Sequence, residues 1–270
     1  MRVVNVSTGE GSRAGLLRDG RVHLLEATVE ELLLAGLESA QRGDLGEGEP
    51  VEEVTLLPPV ERPGKIICIG LNYHAHAREA GLETSETPTF FAKWPNALAA
   101  PGATVALPGF SEKVDYEAEV AFVIGDRCKD VSAEDALGHI AAYTLLNDLS
   151  ARDLQFKTPQ WMPGKVFDAA APCGPALVTP DEAGPPDAIE IGLTLNGEQM
   201  QQSSTADLVH SIPELVAYLS MLMTLEPGDL IATGTPEGVG STRDPKVWLR
   251  PGDRVEVRSA QLGVLETTLA

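Results

Sequence analysis

The sequence predicts an α+β, β-rich fold: a mixed β-roll or sandwich that carries a small N-terminal α+β domain. Helical stretches are few, and the apolar, strand-like runs do not alternate with them, which disfavours a doubly wound sheet. Pro-Gly pairs at residues 101, 227 and 251 each come shortly before such a run, where a turn would introduce a strand.

The first part of the chain predicts a small domain over residues 1–58. Val3–Ser7 and Arg13–Leu25 have the composition of a strand meander, with Asp19-Gly20 as a turn. A capping box, Thr28–Glu31, begins a short apolar helix. Residues 43–63 are rich in Gly, Glu and Pro, which is typical of a linker. We therefore place the main domain at residues 59–270.

The main domain is predicted to consist mostly of strands, with two helices between them. One short helix is capped at Ser132, and a longer one begins at the capping box Ser211–Glu214 and ends near Met223. Asn196-Gly197 is typical of a hairpin turn. The predicted strands are Lys65–Gly70, Thr104–Leu107, Tyr116–Ile124, Ala141–Asn147, Ile189–Leu195, Leu230–Thr233 and Arg254–Val257.

The composition narrows the class of function. The 270 residues include 40 acidic and 20 basic side chains, a formal charge of −20, which argues against nucleic acid and anionic membrane as partners. Cys68, Cys128 and Cys173 are widely spaced and odd in number, so they suit neither a disulfide framework nor a zinc site. With no signal peptide and no apolar run long enough to span a bilayer, we expect a cytoplasmic protein.

The run Asp115–Gly125 carries the strongest indication of chemistry. In a strand, Glu117 and Glu119 share one face, while the opposite face, from Tyr116 to Ile124, is wholly apolar. Two adjacent carboxylates on a largely apolar strand repel each other and lose hydration, and a divalent cation would remove both costs. All-oxygen ligands suit Mg²⁺, Mn²⁺ or Ca²⁺. An edge strand whose glutamates face water is the open alternative.

Two further segments supply candidate residues for the same chemistry. His76 and Glu79 are three residues apart, so on a helix they lie within reach of each other, and a carboxylate beside an imidazole makes a usable general base. A surface ion pair is the alternative. Asp148 ends an apolar strand and could complete a set of three carboxylates with the two glutamates, or could cap a turn.

Two loops complete the set of candidates. Lys165 lies between glycine and apolar residues and precedes the run Pro172–Pro175, which predicts a fixed loop over a cavity where the ammonium could stabilise an oxyanion; a solvated lysine is the alternative. The glycine-rich segment 232–240 allows close approach of the backbone to an anion, with the Thr235 hydroxyl as a donor, unless it is a structural turn.

Taken together, the five segments closely resemble the fumarylacetoacetate hydrolase family over roughly residues 60–260. Residues 1–58 resemble, more weakly, the small N-terminal domain of many bacterial members. The motifs that carry the resemblance are Ile69-Gly70-Leu71-Asn72-Tyr73 with His76 and Glu79, Asp115-Tyr116-Glu117-Ala118-Glu119, Asn147-Asp148 with Ala151-Arg152-Asp153, Gly164-Lys165 with Phe167-Asp168, and Thr233-Gly234-Thr235-Pro236 with Gly238-Val239-Gly240.

The resemblance implies a mixed β-roll, a homodimer and one Mg²⁺ or Mn²⁺ per chain. It assigns the metal to Glu117, Glu119 and Asp148. It further implies that a lid segment carries the His76–Glu79 pair and orders when substrate binds, and that Lys165 faces the metal. The residues implied to line the site for a small anionic 2-oxo acid are Arg152, Gln155 and Thr235.

The family is chemically diverse, so the resemblance leaves three hypotheses open. The leading one is a metal-dependent hydrolase that cleaves a carbon–carbon bond in an acylpyruvate or another 2,4-diketo acid. The second is an oxaloacetate decarboxylase, or an isomerase or decarboxylase of hydroxymuconate-type intermediates in aromatic degradation. The third is a non-catalytic protein with a structural metal, against which the intact His76, Glu79 and Lys165 argue.

Overall fold

The fold follows from the strand-forming runs of the sequence, seen here in a computed structural model that describes residues 1–41 and 45–270. The helices of these residues are α1 (Val29–Ala35), α2 (His74–Ala80), α3 (Arg152–Gln155), α4 (Pro180–Ala183) and α5 (Ile212–Leu222). Single 3₁₀ turns cover Leu37–Gln41, Val51–Glu53, Pro95–Ala97, Ala136–His139, Met162–Gly164, Thr205–Asp207 and Gly240–Thr242.

The strands of the described residues are short and numerous. They are β1 (Arg2–Thr8), β2 (Gly11–Arg18), β3 (Arg21–Leu24), β4 (Glu49–Pro50), β5 (Leu56–Leu57), β6 (Ile66–Gly70), β7 (Thr89–Lys93), β8 (Leu98–Ala99), β9 (Thr104–Val105), β10 (Val114–Asp115), β11 (Ala118–Ile124), β12 (Ile140–Asn147), β13 (Ser150–Ala151), β14 (Ala171–Val178), β15 (Glu190–Leu195), β16 (Glu198–Ser204), β17 (Leu230–Ala232), β18 (Arg254–Ser259) and β19 (Gly263–Leu269).

Two sheets account for most of these strands. The larger one runs in the order β4-β3-β2-β1-β14-β12-β11-β17-β6-β7, with β5 added at β1 and β8 at β14. The smaller one runs β16-β15-β18-β19-β9, and β10 pairs with β13 separately. Most neighbours are antiparallel, but β17 runs parallel to β6. The prediction of a strand-rich α+β fold is therefore confirmed.

Strand β11 lies in the interior of the large sheet. It pairs with β12 on one side and with β17 on the other, and every residue from Ala118 to Ile124 is buried. Its apolar, β-branched composition suits a strand covered on both faces. The alternative of an edge strand with glutamates in water is wrong, because neither edge of β11 is free.

The N-terminal strands extend this same sheet. Arg2 of β1 pairs with Val178 of β14, so the meander β1–β3 lies beside strands of the main part. A boundary near residue 58 remains a prediction. The predicted linker 43–63 lies partly outside the described residues, and its remainder contains β4, β5 and a 3₁₀ turn.

Several elements differ in detail from the sequence prediction. The Pro172–Pro175 run, predicted as a loop, belongs to strand β14, which pairs with β1, β8 and β12. The helix predicted at Ser132 is a capped turn followed by a single 3₁₀ turn. Both capping boxes form as predicted: Glu31 accepts from the Thr28 amide at 2.8 Å and Glu214 from the Ser211 amide at 2.7 Å.

No helix in the part of the chain that the structure describes is long and apolar enough to cross a membrane.

A candidate active site at three buried carboxylates

The pairing of β11 with β12 brings three carboxylates together. Glu119 lies opposite Leu146 in this pair, Glu117 directly precedes β11, and Asp148 directly follows β12. The Asp148 amide donates to the Glu117 carbonyl at 2.9 Å, which fixes the end of the ladder. One oxygen from each of the three carboxylates lies within 4.8 Å of the others. The two glutamates thus lie on the same side, as the alternation of side chains along a strand predicts, and they form a single cluster with Asp148.

Burial makes this cluster costly for the protein on its own. The exposed fraction is 6% for Glu117, 1% for Glu119 and 0% for Asp148. Buried carboxylates lose hydration, so each needs a positive partner, a hydrogen bond or a proton. The surroundings of each carboxylate therefore decide what the cluster can bind.

Two lysines and an arginine neutralise Glu117 and Asp148. The Lys165 ammonium lies 2.7 Å from Glu117 Oε2 and 2.8 Å from Asp148 Oδ2. Lys93 contributes an ion pair at 2.7 Å to Asp148 Oδ1, and Arg152 Nη1 lies 2.6 Å from Glu117 Oε1. Burial raises the pKa of Glu117, but Lys165 and Arg152 outweigh it and hold that pKa below its usual range.

Glu119 has no such partner. Among the described residues no cationic side chain lies within 4.0 Å of it, and its Oε2 accepts only the Gly234 amide, at 2.9 Å. Burial, then Asp148, then Glu117 raise the pKa of Glu119 well above its usual value. A buried carboxylate without a cation, beside two others, is the donor set that a hard divalent ion fits. The cluster could therefore hold a metal.

Arg152 and Gln155 come together on the single-turn helix α3. Arg152 Nη1 donates to Gln155 Oε1 at 2.9 Å, and its Nε donates to Asp115 Oδ2 at 2.9 Å. Asp115 is fully buried and also accepts the amides of Gly240 at 2.7 Å and Ser241 at 3.0 Å. It thus joins Arg152 to the glycine-rich segment 232–240.

Thr235 is held by a residue that the sequence analysis did not single out. Gln201, on β16, donates to the Thr235 hydroxyl at 2.9 Å and accepts the Ala118 amide at 2.9 Å. Gln201 is 2% exposed, so this bridge is a buried one. It connects the smaller sheet to the start of β11.

His76 and Glu79 form the expected pair on helix α2. His76 Nδ1 lies 3.5 Å from Glu79 Oε2, and both oxygens of Glu79 accept the Gly238 amide at 3.1 Å. Burial raises the pKa of Glu79, but the nearby His76 imidazole, the Gly238 amide and the Thr242 hydroxyl outweigh it and lower that pKa. The carboxylate is therefore held in its charged form beside the imidazole. Whether a lid around this helix orders with substrate remains a prediction.

A cavity of about 300 Å³ joins these residues. Of the predicted site residues, those that line it are His76, Glu117, Glu119, Arg152, Gln155, Lys165 and Thr235. Glu79 and Asp148 lie behind the wall, in contact with His76 and Lys165. A cavity of about 580 Å³ elsewhere, between residues 33–38 and 179–181, contains none of them. The catalytic, substrate and metal roles of these residues remain predictions.

Part of the cavity wall is apolar. Leu71, Leu82, Phe91, Phe156 and Trp161 line it, and Phe91 also places its ring centroid 5.0 Å from the Lys165 ammonium. The sequence analysis did not predict this wall, because its members come from four separate segments. Only their final positions in the fold give them a common surface.

Comparison with known proteins gives one family and several relatives. The family model described as fumarylacetoacetate (FAA) hydrolase, C-terminal, matches residues 65–270. A mitochondrial oxaloacetate tautomerase of Bos taurus is 44% identical over 218 residues, which are 80% of this chain and 69% of that protein.

Solved structures agree in fold along the whole chain. A 5-carboxymethyl-2-hydroxymuconate delta-isomerase from Mycobacterium smegmatis superposes with a TM-score of 0.83 at 35% identity and covers 100% of this chain and 98% of its own. A fumarylacetoacetate hydrolase from Exiguobacterium antarcticum gives 0.89 at 30% identity, covering 100% and 99%.

The comparison overturns one expectation. The prediction of a cytoplasmic location is wrong, because the Bos taurus relative and its Homo sapiens counterpart are named as mitochondrial proteins. Cys68, Cys128 and Cys173 are free and buried, and free cysteines do not specify a compartment.

Proposed function

The chain belongs to the fumarylacetoacetate hydrolase family, and from that premise we propose that it is a metal-dependent enzyme that enolises a small 2-oxo acid, with oxaloacetate as the first candidate. One observation carries the proposal. A His–Glu pair, a buried ammonium and a carboxylate cluster suited to a divalent ion all meet at one cavity.

The carboxylate cluster would hold the metal. Glu117, Glu119 and Asp148 would hold one Mg²⁺ or Mn²⁺. This assignment is supported by Glu119, which no cationic side chain of the described residues neutralises. Such an ion, when bound, supplies a Lewis acid that polarises a ketone oxygen.

The protein's own groups would then move the proton. His76, oriented by Glu79, removes a proton from the carbon next to the ketone, and the Lys165 ammonium stabilises the oxygen that gains charge. The same imidazole returns the proton to that oxygen, so the keto acid becomes its enol with no change in composition. Arg152 lines the cavity and would bind the substrate carboxylate, while Asp115, whose Oδ2 lies 2.8 Å from Arg152 Nη2, holds the guanidinium in position.

Similarity supports oxaloacetate as the first substrate to test. The Bos taurus relative at 44% identity is named an oxaloacetate tautomerase. The cavity residues of this chain lie within the matched family region, residues 65–270.

Hydrolysis of an acylpyruvate is the second candidate, and the apolar wall of the cavity favours it. A four-carbon dicarboxylate would not bury the apolar side chains of Leu71, Leu82 and Phe156, whereas an acyl chain would. In this reaction His76 would take a proton from water, and the hydroxide would attack the distal carbonyl. The carbon–carbon bond would then break to give pyruvate and a carboxylic acid.

A panel of three substrates separates the candidates. Purified protein loaded with Mg²⁺ or Mn²⁺ is incubated with oxaloacetate enol, with keto oxaloacetate and with acetylpyruvate. Loss of enol absorbance without carbon dioxide supports the tautomerase, carbon dioxide supports a decarboxylase, and acetate supports the hydrolase. No turnover of any of the three, with metal bound, would contradict the proposal and favour a non-catalytic binding protein.

The chain is also proposed to act as a homodimer, as the family resemblance implies. Light scattering on the purified protein should give about twice the 28.6 kDa of one chain. A mass near that of one chain would contradict it.

A further inference from the structure

Helix α2, which carries His76 and Glu79, does not supply its own N-terminal cap. Its N-cap residue is Tyr73, whose side chain makes no capping hydrogen bond. The free N–H groups at a helix start need acceptors, and a carboxylate there also interacts favourably with the helix dipole. Asp207 provides one from a distant segment: its Oδ2 accepts the Ala75 amide at 2.9 Å. Asp207 makes no ion pair among the described residues. The main contact of its carboxylate is therefore the start of helix α2.

The residues that follow Asp207 hold the chain just before the helix. Val209 donates its amide to the Asn72 carbonyl at 2.8 Å, and Tyr73 and Leu208 form an isolated antiparallel bridge. The Asn72 side chain and the His210 backbone exchange two hydrogen bonds, at 2.8 and 3.1 Å. We name residues 207–210 the clamp.

The clamp also reaches the far side of the helix. His210 Nε2 lies 3.0 Å from the carbonyl oxygen of Ser85, five residues after α2 ends at Ala80. Residues 81–87 are otherwise exposed. One short segment therefore contacts the chain on both sides of the helix.

Asn72 extends these contacts to the carboxylate cluster. It is fully buried, and its side-chain amide also donates to the Thr233 carbonyl at 2.9 Å. The next residue, Gly234, donates its amide to Glu119. A Cβ at Gly234 would lie 3.1 Å from Asn72 Cβ, and its φ of +101° also favours glycine. The clamp is thus connected through Asn72 to the cluster that would hold the metal.

We propose that the clamp positions His76 and Glu79 at the cavity, with Asp207 as the positioning residue. Asp207 lines no part of the cavity, so it acts through the helix it caps. This inference rests on the proposed role of His76, but its structural half can be measured without turnover.

The test compares Asp207→Ala with Asp207→Asn, because an asparagine oxygen caps a helix about as well as a carboxylate does. In Asp207→Ala we expect faster amide exchange at residues 75–80. We also expect kcat to fall by roughly 10- to 100-fold, the scale of a small misplacement of a catalytic group. Metal affinity should stay at the wild-type value. Asp207→Asn should restore most of the slow amide exchange and most of kcat. In a His76→Ala background, Asp207→Ala should cause no further fall in kcat.

Three results would overturn the proposal. They are wild-type amide exchange in Asp207→Ala, no recovery of exchange and kcat in Asp207→Asn, or a further fall in kcat when Asp207→Ala is added to His76→Ala. Ser132→Ala is the matched control, since it removes a side-chain cap from another turn. If Asp207→Ala does not fold, His210→Ala tests the other side, where faster exchange at residues 82–87 is expected and unchanged exchange would contradict the clamp. Full activity of His76→Ala would instead contradict the proposed base, while the exchange rates would still decide whether the clamp holds the helix.

Discussion

The indole ring of Trp161 lies directly against the backbone of Gly70. A Cβ built on Gly70 would fall 2.2 Å from Trp161 Cζ3, far inside van der Waals contact. Trp161 also packs edge-on against Phe91, with ring centroids 6.1 Å apart. The glycine at the end of β6 therefore leaves the space that the indole occupies in the cavity wall.

Gly70→Ala should displace Trp161 from its position in the cavity wall. We expect a loss of about 1–3 kcal/mol in the free energy of unfolding, typical of overpacking, and a higher KM for the larger 2-oxo acids. Denaturant unfolding, tryptophan fluorescence and steady-state kinetics check it. Gly138→Ala, at a glycine with open space around it, is the control. Unchanged stability and fluorescence in Gly70→Ala would contradict the tight contact.

Glu119→Gln should strongly weaken metal binding. Glu119 is the cluster's carboxylate without a cation among the described residues, so its charge is available to a metal. We expect Mn²⁺ affinity, measured by calorimetry, to fall by at least about 100-fold, beyond what loss of an outer contact costs. The exposed Glu198→Gln is the matched control. Wild-type affinity in Glu119→Gln would exclude this carboxylate as a ligand.

His76→Ala should separate the base from the metal. Turnover should fall by roughly 10²–10⁴-fold, the range for a positioned general base, while Mn²⁺ affinity stays unchanged because His76 is no proposed ligand. His74→Ala changes an exposed histidine two residues away on the same helix and should leave both unchanged. Within the His76 variant, oxaloacetate decarboxylation should suffer less than hydrolysis or tautomerisation. Equal losses in all reactions would argue against a base that acts on water or carbon.

Glu79 should make stability depend on pH in a defined direction. Because the pKa of Glu79 is lower in the folded protein than its ordinary value of 4.5, its charged form stabilises the fold above that value. This contribution should disappear as pH falls through the lower folded pKa. The Tm difference between wild type and Glu79→Gln should therefore be present at pH 7 and shrink in acid below 4.5. Exposed Glu83→Gln is the control. A difference that grows in acid would reverse the sign and contradict the assignment.

The sequence predicts those parts of the fold whose cause is local. Apolar, β-branched composition located β11 and β12, and the capping boxes located the starts of α1 and α5. The alternation of side chains along a strand predicts that Glu117 and Glu119 lie together, as they do in the carboxylate cluster. Strand β14 escaped prediction because two prolines and a glycine favour a loop, yet it pairs with β12 across a break in register.

The residues around the site that sequence reasoning missed have no local pattern. Lys93 ends a short strand, and Asp115 and Gln201 are ordinary polar residues in their own segments. Each acquires its role from a partner far along the chain: Asp148 for Lys93, Arg152 for Asp115 and Thr235 for Gln201. Asp115 does belong to the motif Asp115-Tyr116-Glu117-Ala118-Glu119, which is the local indication of its role. Long-range pairs of this kind are fixed by packing, which composition does not encode.

The parallel pairing of β17 with β6 has a consequence for how the protein is made. Ile66 pairs with Leu230, and the Glu119 carboxylate meets the Gly234 amide, 115 residues further on. During synthesis, the three acidic residues leave the ribosome long before these partners exist. Closing so long a loop is entropically unfavourable and slow, so the carboxylates cannot reach their native environment until nearly the whole chain is available. A chain terminated before residue 230 would retain Glu117, Glu119 and Asp148 but lack strand β17, which pairs with β11.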